Sequence, residues 1–202
     1  MRYVLLQVHF PAKALLDVGY SIPDLKAGGY RLSELKEAGC CAKDLKLAGF
    51  RAKRLREAGF TPDEFRADGF RASELRVAGA SCKELELAGY SCEELERGGY
   101  TPKQLKEVGF SVDVLRGTGL SADQMQDVGF TVAQLRAGGY TPSEVTSASF
   151  SSEELRLGGY SAEQLSAAGL SVKELKTAGF ALKDLQAIGC AAWKLRDAGY
   201  SL

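Results

Sequence analysis

A ten-residue unit repeats without insertion or deletion from residue 1 to residue 200, twenty copies in succession. Residues 81–110 show it three times: S-C-K-E-L-E-L-A-G-Y, S-C-E-E-L-E-R-G-G-Y and T-P-K-Q-L-K-E-V-G-F. A period this short leaves few folds open. One copy cannot bury a core, so its neighbours must complete it, as in a solenoid. A single long helix is excluded, because Gly followed by Ser or Thr recurs throughout. A period of ten also matches neither a heptad nor an eleven-residue supercoil repeat.

Numbering each copy from slot 1 to slot 10 exposes the local chemistry. Slot 1 is Ser or Thr in twelve copies and slot 4 is Glu, Gln or Asp in fifteen. That spacing is a capping box, in which each side chain satisfies a backbone N–H of the other residue. Pro62, Pro102 and Pro142 occupy slot 2, the first helical position, where a missing N–H costs nothing. Slot 9 is Gly in eighteen copies, the residue that ends a helix in the left-handed conformation. Each copy therefore predicts a helix of under two turns, capped at both ends. Slot 5 is Leu in seventeen copies and slot 10 is Phe or Tyr in fifteen. A slot-10 ring such as Tyr90 can pack back on Leu85 and forward on Leu95, pinning two consecutive helices together. The expected fold is an all-α solenoid, or superhelix, of about twenty very short helices, one per repeat, with Gly at each helix C-terminus. Residues 1–20 read as divergent N-terminal capping repeats, continuous with a decapeptide solenoid over 21–200 as one domain.

Coincidences forty residues apart add a weaker pattern. They include Pro62, Pro102 and Pro142, the loss of the slot-10 aromatic at Cys40, Ala80 and Leu120, and the doubled glycines at Gly98 and Gly138. Two readings account for them, an ancestral forty-residue block or four copies per superhelical turn. Repeat 15 (141–150) lacks the Leu, the base and the Gly, which predicts a bend or local opening.

The chain has 202 residues with 26 basic and 26 acidic side chains, the composition of a folded soluble protein. No apolar run approaches a membrane span, and residues 1–10 are too short and interrupted for a signal peptide. The five cysteines, Cys40, Cys41, Cys82, Cys92 and Cys190, mostly replace small or apolar residues. They read as reduced thiols in an intracellular, cytoplasmic protein. Their spacing is not that of a zinc site. His9, the only histidine, stands in a Gly slot and offers no catalytic partner. The serines and glutamates are accounted for by capping. The expectation is no enzyme, no cofactor, no metal and no small-molecule substrate.

What remains is surface. Slot 6 is Lys or Arg in twelve copies, and with the slot-4 acids it predicts ladders of weak ion pairs along the array. Residues 1–60 carry a net excess of five positive charges and 61–100 a net excess of four negative ones. Arg31, Lys36, Lys43, Lys46, Arg51, Lys53, Arg54 and Arg56 concentrate within 31–56 as a candidate binding patch. A second candidate surface is end-to-end, formed by Val4, Leu6, Phe10, Leu16, Trp193, Tyr200 and Leu202. Such a head-to-tail contact that does not close makes a filament.

The unit S/T-x-x-E-L-x-x-A-G-F/Y resembles tandem decapeptide-repeat arrays of uncharacterised microbial proteins, across essentially all of 11–200. The resemblance implies no activity. The first functional expectation is a structural or scaffolding protein that binds other proteins. A self-assembling subunit is the second. A nucleic-acid-binding rod using the 31–56 patch is the third, and neutral net charge and aromatics already committed to packing count against it.

Overall fold

The computed structural model describes residues 10–201. Among these residues lie nineteen α-helices and no strand, one helix per repeat from Ala12–Asp17 to Ala192–Asp197. The all-α, solenoid-like architecture expected from the period is present throughout. The described residues fall into two compact units that part between Thr101 and Pro102. The last two repeats of the first unit carry Glu86 and Glu96 where a slot-6 cation is usual.

Local signals build each helix as the sequence indicates. At repeat 10, Ser91 is extended (φ −71°, ψ 162°) and its Oγ accepts the backbone N–H of Glu94. The Glu94 carboxylate accepts the Ser91 N–H at 2.7 Å, completing the box. At the other end, the Tyr100 N–H donates to the Leu95 carbonyl at 3.1 Å and the Gly99 N–H to that of Glu96 at 2.8 Å. These are the paired bonds of a Schellman motif, which needs a left-handed residue between them; Gly99 has φ +85°. At repeat 5 a thiol replaces the hydroxyl, Cys41 Sγ accepting the Asp44 N–H at 3.4 Å.

Repeat 15 differs from its neighbours locally. Its helix, Pro142–Thr146, has five residues, and Ser149 avoids positive φ. The Ser149 N–H turns instead to Asp123 Oδ1 at 3.0 Å.

The capping boxes give the protein an acid-sensitive stability. The Glu84, Glu94, Glu144 and Glu154 carboxyls lie below the ordinary carboxylate range, foremost because the slot-1 backbone N–H donates to each. A group with a lowered folded pKa adds stability that is complete above its unfolded pKa and is lost as pH falls through the folded one. Urea resistance is expected to hold level from about pH 7 to about 5 and to fall below about pH 4.5. Denaturation curves across that range check this, and Glu94→Gln, which can still accept the Ser91 N–H but does not titrate, should blunt the fall.

The joint between consecutive helices is visible directly at repeat 7, where slot 5 is Phe65. Its ring centroid lies 6.1 Å from Phe60 and 4.8 Å from Phe70, the rings that precede and follow it. Elsewhere Leu fills that position, and Leu25, Leu35, Leu45, Leu55, Leu85 and Leu95 are fully buried. At the Phe65 joint the slot-10 rings flank the slot-5 side chain on both sides, as expected.

Packing between turns follows a shorter period than the forty-residue coincidences suggest. Helices contact the next repeat but one: Ala72–Val77 packs on Cys92–Arg97, and in the second unit Val112–Gly117 packs on Val132–Ala137. Side-chain partners lie between two and three repeats apart. The Tyr90 hydroxyl donates to the Phe70 carbonyl at 2.8 Å, Tyr100 to Ala80 at 2.6 Å, and Tyr140 to Leu120 at 2.6 Å. The four-per-turn reading is therefore corrected.

The doubled glycines have a steric origin. A Cβ on Gly98 would fall 2.8 Å from Ala72 Cβ, and one on Gly138 would fall 2.3 Å from Val112 Cγ1. Gly158 meets Val132 in the same way, outside the forty-residue series. Slot 8 of one repeat faces slot 2 two repeats earlier, and the two share a fixed space.

The slot-6 cations are not paired with the acid of their own repeat. Lys36 reaches over the Phe60 ring at 4.5 Å, donates to the Gly59 carbonyl at 2.6 Å and pairs with Glu64 at 3.0 Å. Arg66 does the same with the Tyr90 ring at 4.7 Å and Glu94 at 3.0 Å. Arg56 joins the Ala78 carbonyl to Glu84, and Arg116 pairs with Glu144 in the second unit. Each cation thus clamps the joint between the second and third repeats beyond it. The ladders expected along the array thus join different repeats rather than residues of one helix, because a carboxylate already engaged by its own cap faces outward toward the adjacent turn. These pairs are part-exposed, so each contributes no more than about 1 kcal/mol, and the ring contact adds about 0.5–1 kcal/mol.

Candidate protein-docking groove

Stacking at an offset of two repeats places repeats 4, 6, 8 and 10 in one column of the first unit. Three concavities open along it. The first, about 460 Å³, lies between Arg31, Leu32 and Ser33 of repeat 4 and Arg54, Glu57 and Ala58 of repeat 6. The second, about 650 Å³, lies between Arg51, Ala52 and Lys53 of repeat 6 and Glu74, Val77 and Ala78 of repeat 8. The third, about 640 Å³, lies between Arg71, Ala72 and Ser73 of repeat 8 and Glu94, Arg97 and Gly98 of repeat 10. Phe50 lines both the first and second, and Phe70 and Ser73 line both the second and third. Shared walls place the three concavities side by side in one row, an interrupted groove along the column.

The groove has apolar patches and a cationic lip. Val77 is 84% exposed at the middle concavity. Arg31, Arg51 and Arg71 occupy slot 1, are exposed, and recur every twenty residues along the lip. None of the three side chains caps its helix. Substituting a capping Ser or Thr costs about 0.5–2 kcal/mol. Among the described residues, neither these arginines nor Lys53 forms an ion pair.

The acids nearby are already engaged. Glu57 pairs with Arg54, and Lys46 pairs with Glu74. Partial burial pushes the Glu74 carboxyl up, but the hydrogen bonds from Lys46 and from the Arg71 backbone N–H outweigh it and leave the group below the ordinary range. Glu94 is held low by the Ser91 N–H and then by Arg66. The carboxylates nearby are thus already engaged, whereas the three lip arginines form no ion pair among the described residues, Arg71 acting on Glu74 only through space.

The eight residues of the sequence-derived patch separate into two sets. Arg31, Arg51, Lys53 and Arg54 line the groove, and Lys43 is exposed outside it. Lys36, Lys46 and Arg56 are drawn into clamps with Glu64, Glu74 and Glu84, although Lys46 also borders the middle concavity. Arg71, Arg97, Ser73, Phe70 and Val77 extend the groove beyond that patch. The twenty-residue spacing of the three lip arginines was the available signal.

Of the end-to-end candidates, Val4, Leu6 and Leu202 lie outside the described residues. Phe10 is 40% exposed, Leu16 is half-buried, and Trp193 is 69% exposed. Tyr200 is half-buried beneath Lys176, with its hydroxyl on the Phe180 carbonyl at 2.7 Å.

Cys40, Cys82 and Cys92 and the phenols of Tyr90 and Tyr100 sit in the packed interior, whereas Cys41 and Cys190 are part-exposed. Burial pushes the Cys92 thiol up to about 11 and the Tyr90 and Tyr100 hydroxyls up to about 12. Among the described residues no cluster of His, Cys, Asp and Glu could hold a metal ion, and no helix is long and apolar enough to cross a membrane.

Short capped helices, a ring at most joints and partners two to three repeats away define a helical repeat protein of the solenoid class. The chain belongs to the decapeptide-repeat family: the family described as Decapeptide repeat region matches residues 4–72, 69–142 and 129–202. No curated protein and no solved structure is detectably similar to it.

Proposed function

We propose that the protein is a non-enzymatic scaffold that binds another protein in the groove along repeats 4 to 10. One observation carries this reading: three concavities share walls and are edged by arginines that the fold does not use. The apolar patches suit side chains of a polypeptide, and an open groove accepts a chain without requiring a closed site. We place it inside the cell, where its buried thiols stay reduced.

A photo-crosslinking residue at Ser73, on the shared wall, tests the reading in the cells that make the protein. The expected result is an adduct with a different polypeptide that is absent when the same residue replaces the exposed Glu153. Adducts confined to a second copy of the chain would favour the self-assembling reading, which the exposed Trp193 supports. Adducts confined to nucleic acid would overturn the protein-binding reading.

A further inference from the structure

We propose that the groove takes an extended acidic peptide segment, with a carboxylate at about every third residue and an apolar side chain between successive carboxylates. This rests on the scaffold reading and adds the chemistry of the partner. The lip supplies the register. Arg31, Arg51 and Arg71 stand on repeats two apart in one column, and stacked helices are separated by about 8–10 Å. An extended chain in the polyproline II form rises about 3.1 Å per residue with about three residues per turn, so every third side chain faces the same side and three residues span one step.

At physiological salt the Debye length is about 8 Å, no longer than that step. Each arginine therefore senses chiefly the carboxylate opposite it, and the spacing of the charges matters as well as their number. Between the arginines, the exposed Val77 and the part-exposed Phe50 offer apolar surface to the intervening residue. Arginine suits the task because its planar fork binds a carboxylate through two hydrogen bonds.

The arginines also replace residues that would serve the fold better. Ser or Thr at slot 1 caps the helix in most repeats, and arginine at 31, 51 and 71 forgoes that bond. Removing the proposed function should therefore not weaken the protein. The variant Arg31→Ser/Arg51→Ser/Arg71→Ser is expected to melt no lower than the parent while losing the ligand.

The probe is a fluorescein-labelled peptide with Asp at every third position and Leu between, measured by anisotropy on the full chain at about 0.15 M salt. It is compared with a peptide of the same composition whose aspartates are contiguous, and with a single-stranded oligonucleotide of equal charge. The expected result is that the periodic peptide binds at least about tenfold more tightly than either control, in line with the cost of misplacing charges at an interface. The triple serine variant should lose that binding and keep its melting temperature. Equal binding of the two peptides, an oligonucleotide that binds as tightly, or unchanged binding by the triple variant would each overturn the proposal. If the peptide fails while the Ser73 crosslink to another polypeptide persists, the partner chemistry is wrong and the scaffold reading stands. If both fail, the scaffold reading falls with it.

Discussion

Tyr90→Ala is expected to lower the stability of the protein by about 3–5 kcal/mol, the range for truncating a buried aromatic. The ring is 3% exposed and stands at slot 10 between the slot-5 residues Leu85 and Leu95, both fully buried. Arg66 lies over its face at 4.7 Å, so the truncation also strips that cation of its ring. Tyr90→Phe isolates the hydroxyl. The phenol donates to the Phe70 carbonyl at 2.8 Å in a buried setting. Losing it leaves the carbonyl without that donor, a cost of about 1–2 kcal/mol. Urea denaturation followed by circular dichroism checks both. A Tyr90→Phe variant as stable as the parent would mean that the contact two repeats away contributes nothing.

Gly138→Ala is expected to destabilise by about 1–3 kcal/mol, against the ordinary preference for Ala over Gly in helical backbone. Propensity favours the substitution by up to about 1 kcal/mol, and Gly138 has an unstrained φ of −79°. The space opposes it. The added Cβ would lie 2.3 Å from Val112 Cγ1 and 2.7 Å from Val112 Cβ. A rotamer change moves the first atom but not the second, so the backbones of two turns must part. Val112→Gly in the same chain, which removes both atoms, should relieve the clash, and the double-mutant cycle should show a favourable coupling of about 1 kcal/mol or more. Gly117→Ala is the control. No atom lies within 4 Å of its added Cβ, so it should be neutral or stabilising by up to about 1 kcal/mol. Equal effects at Gly117 and Gly138 would remove the steric account.

These two sites also show which parts of the architecture were readable in advance. The Tyr90 joint to Leu85 and Leu95 follows from slots 5 and 10, because rings and leucines five residues apart in a capped chain must meet. The hydroxyl bond to Phe70 does not follow, since Phe and Tyr serve the joint equally well and differ only toward another turn. The clash at Gly138 was likewise hidden. Gly98 and Gly138 share a forty-residue spacing, but their partners Ala72 and Val112 stand two repeats before them. The binding patch divided in the same way. Lys36, Lys46 and Arg56 look identical to Arg51 and Lys53 in a count of charge, yet the first three are held by carboxylates twenty-eight residues along the chain.

By itself, the sequence determined what ten residues decide among themselves. Ser91 with Glu94 starts a helix, Gly99 ends it, and Tyr100 joins it to the next, all through contacts shorter than one repeat. The tertiary structure alone decided how far along the chain each turn finds its neighbour. That offset depends on the summed angles of successive joints, which no single repeat encodes. It brings Arg66 to Glu94, sets Gly138 against Val112, and aligns Arg31, Arg51 and Arg71 along one groove.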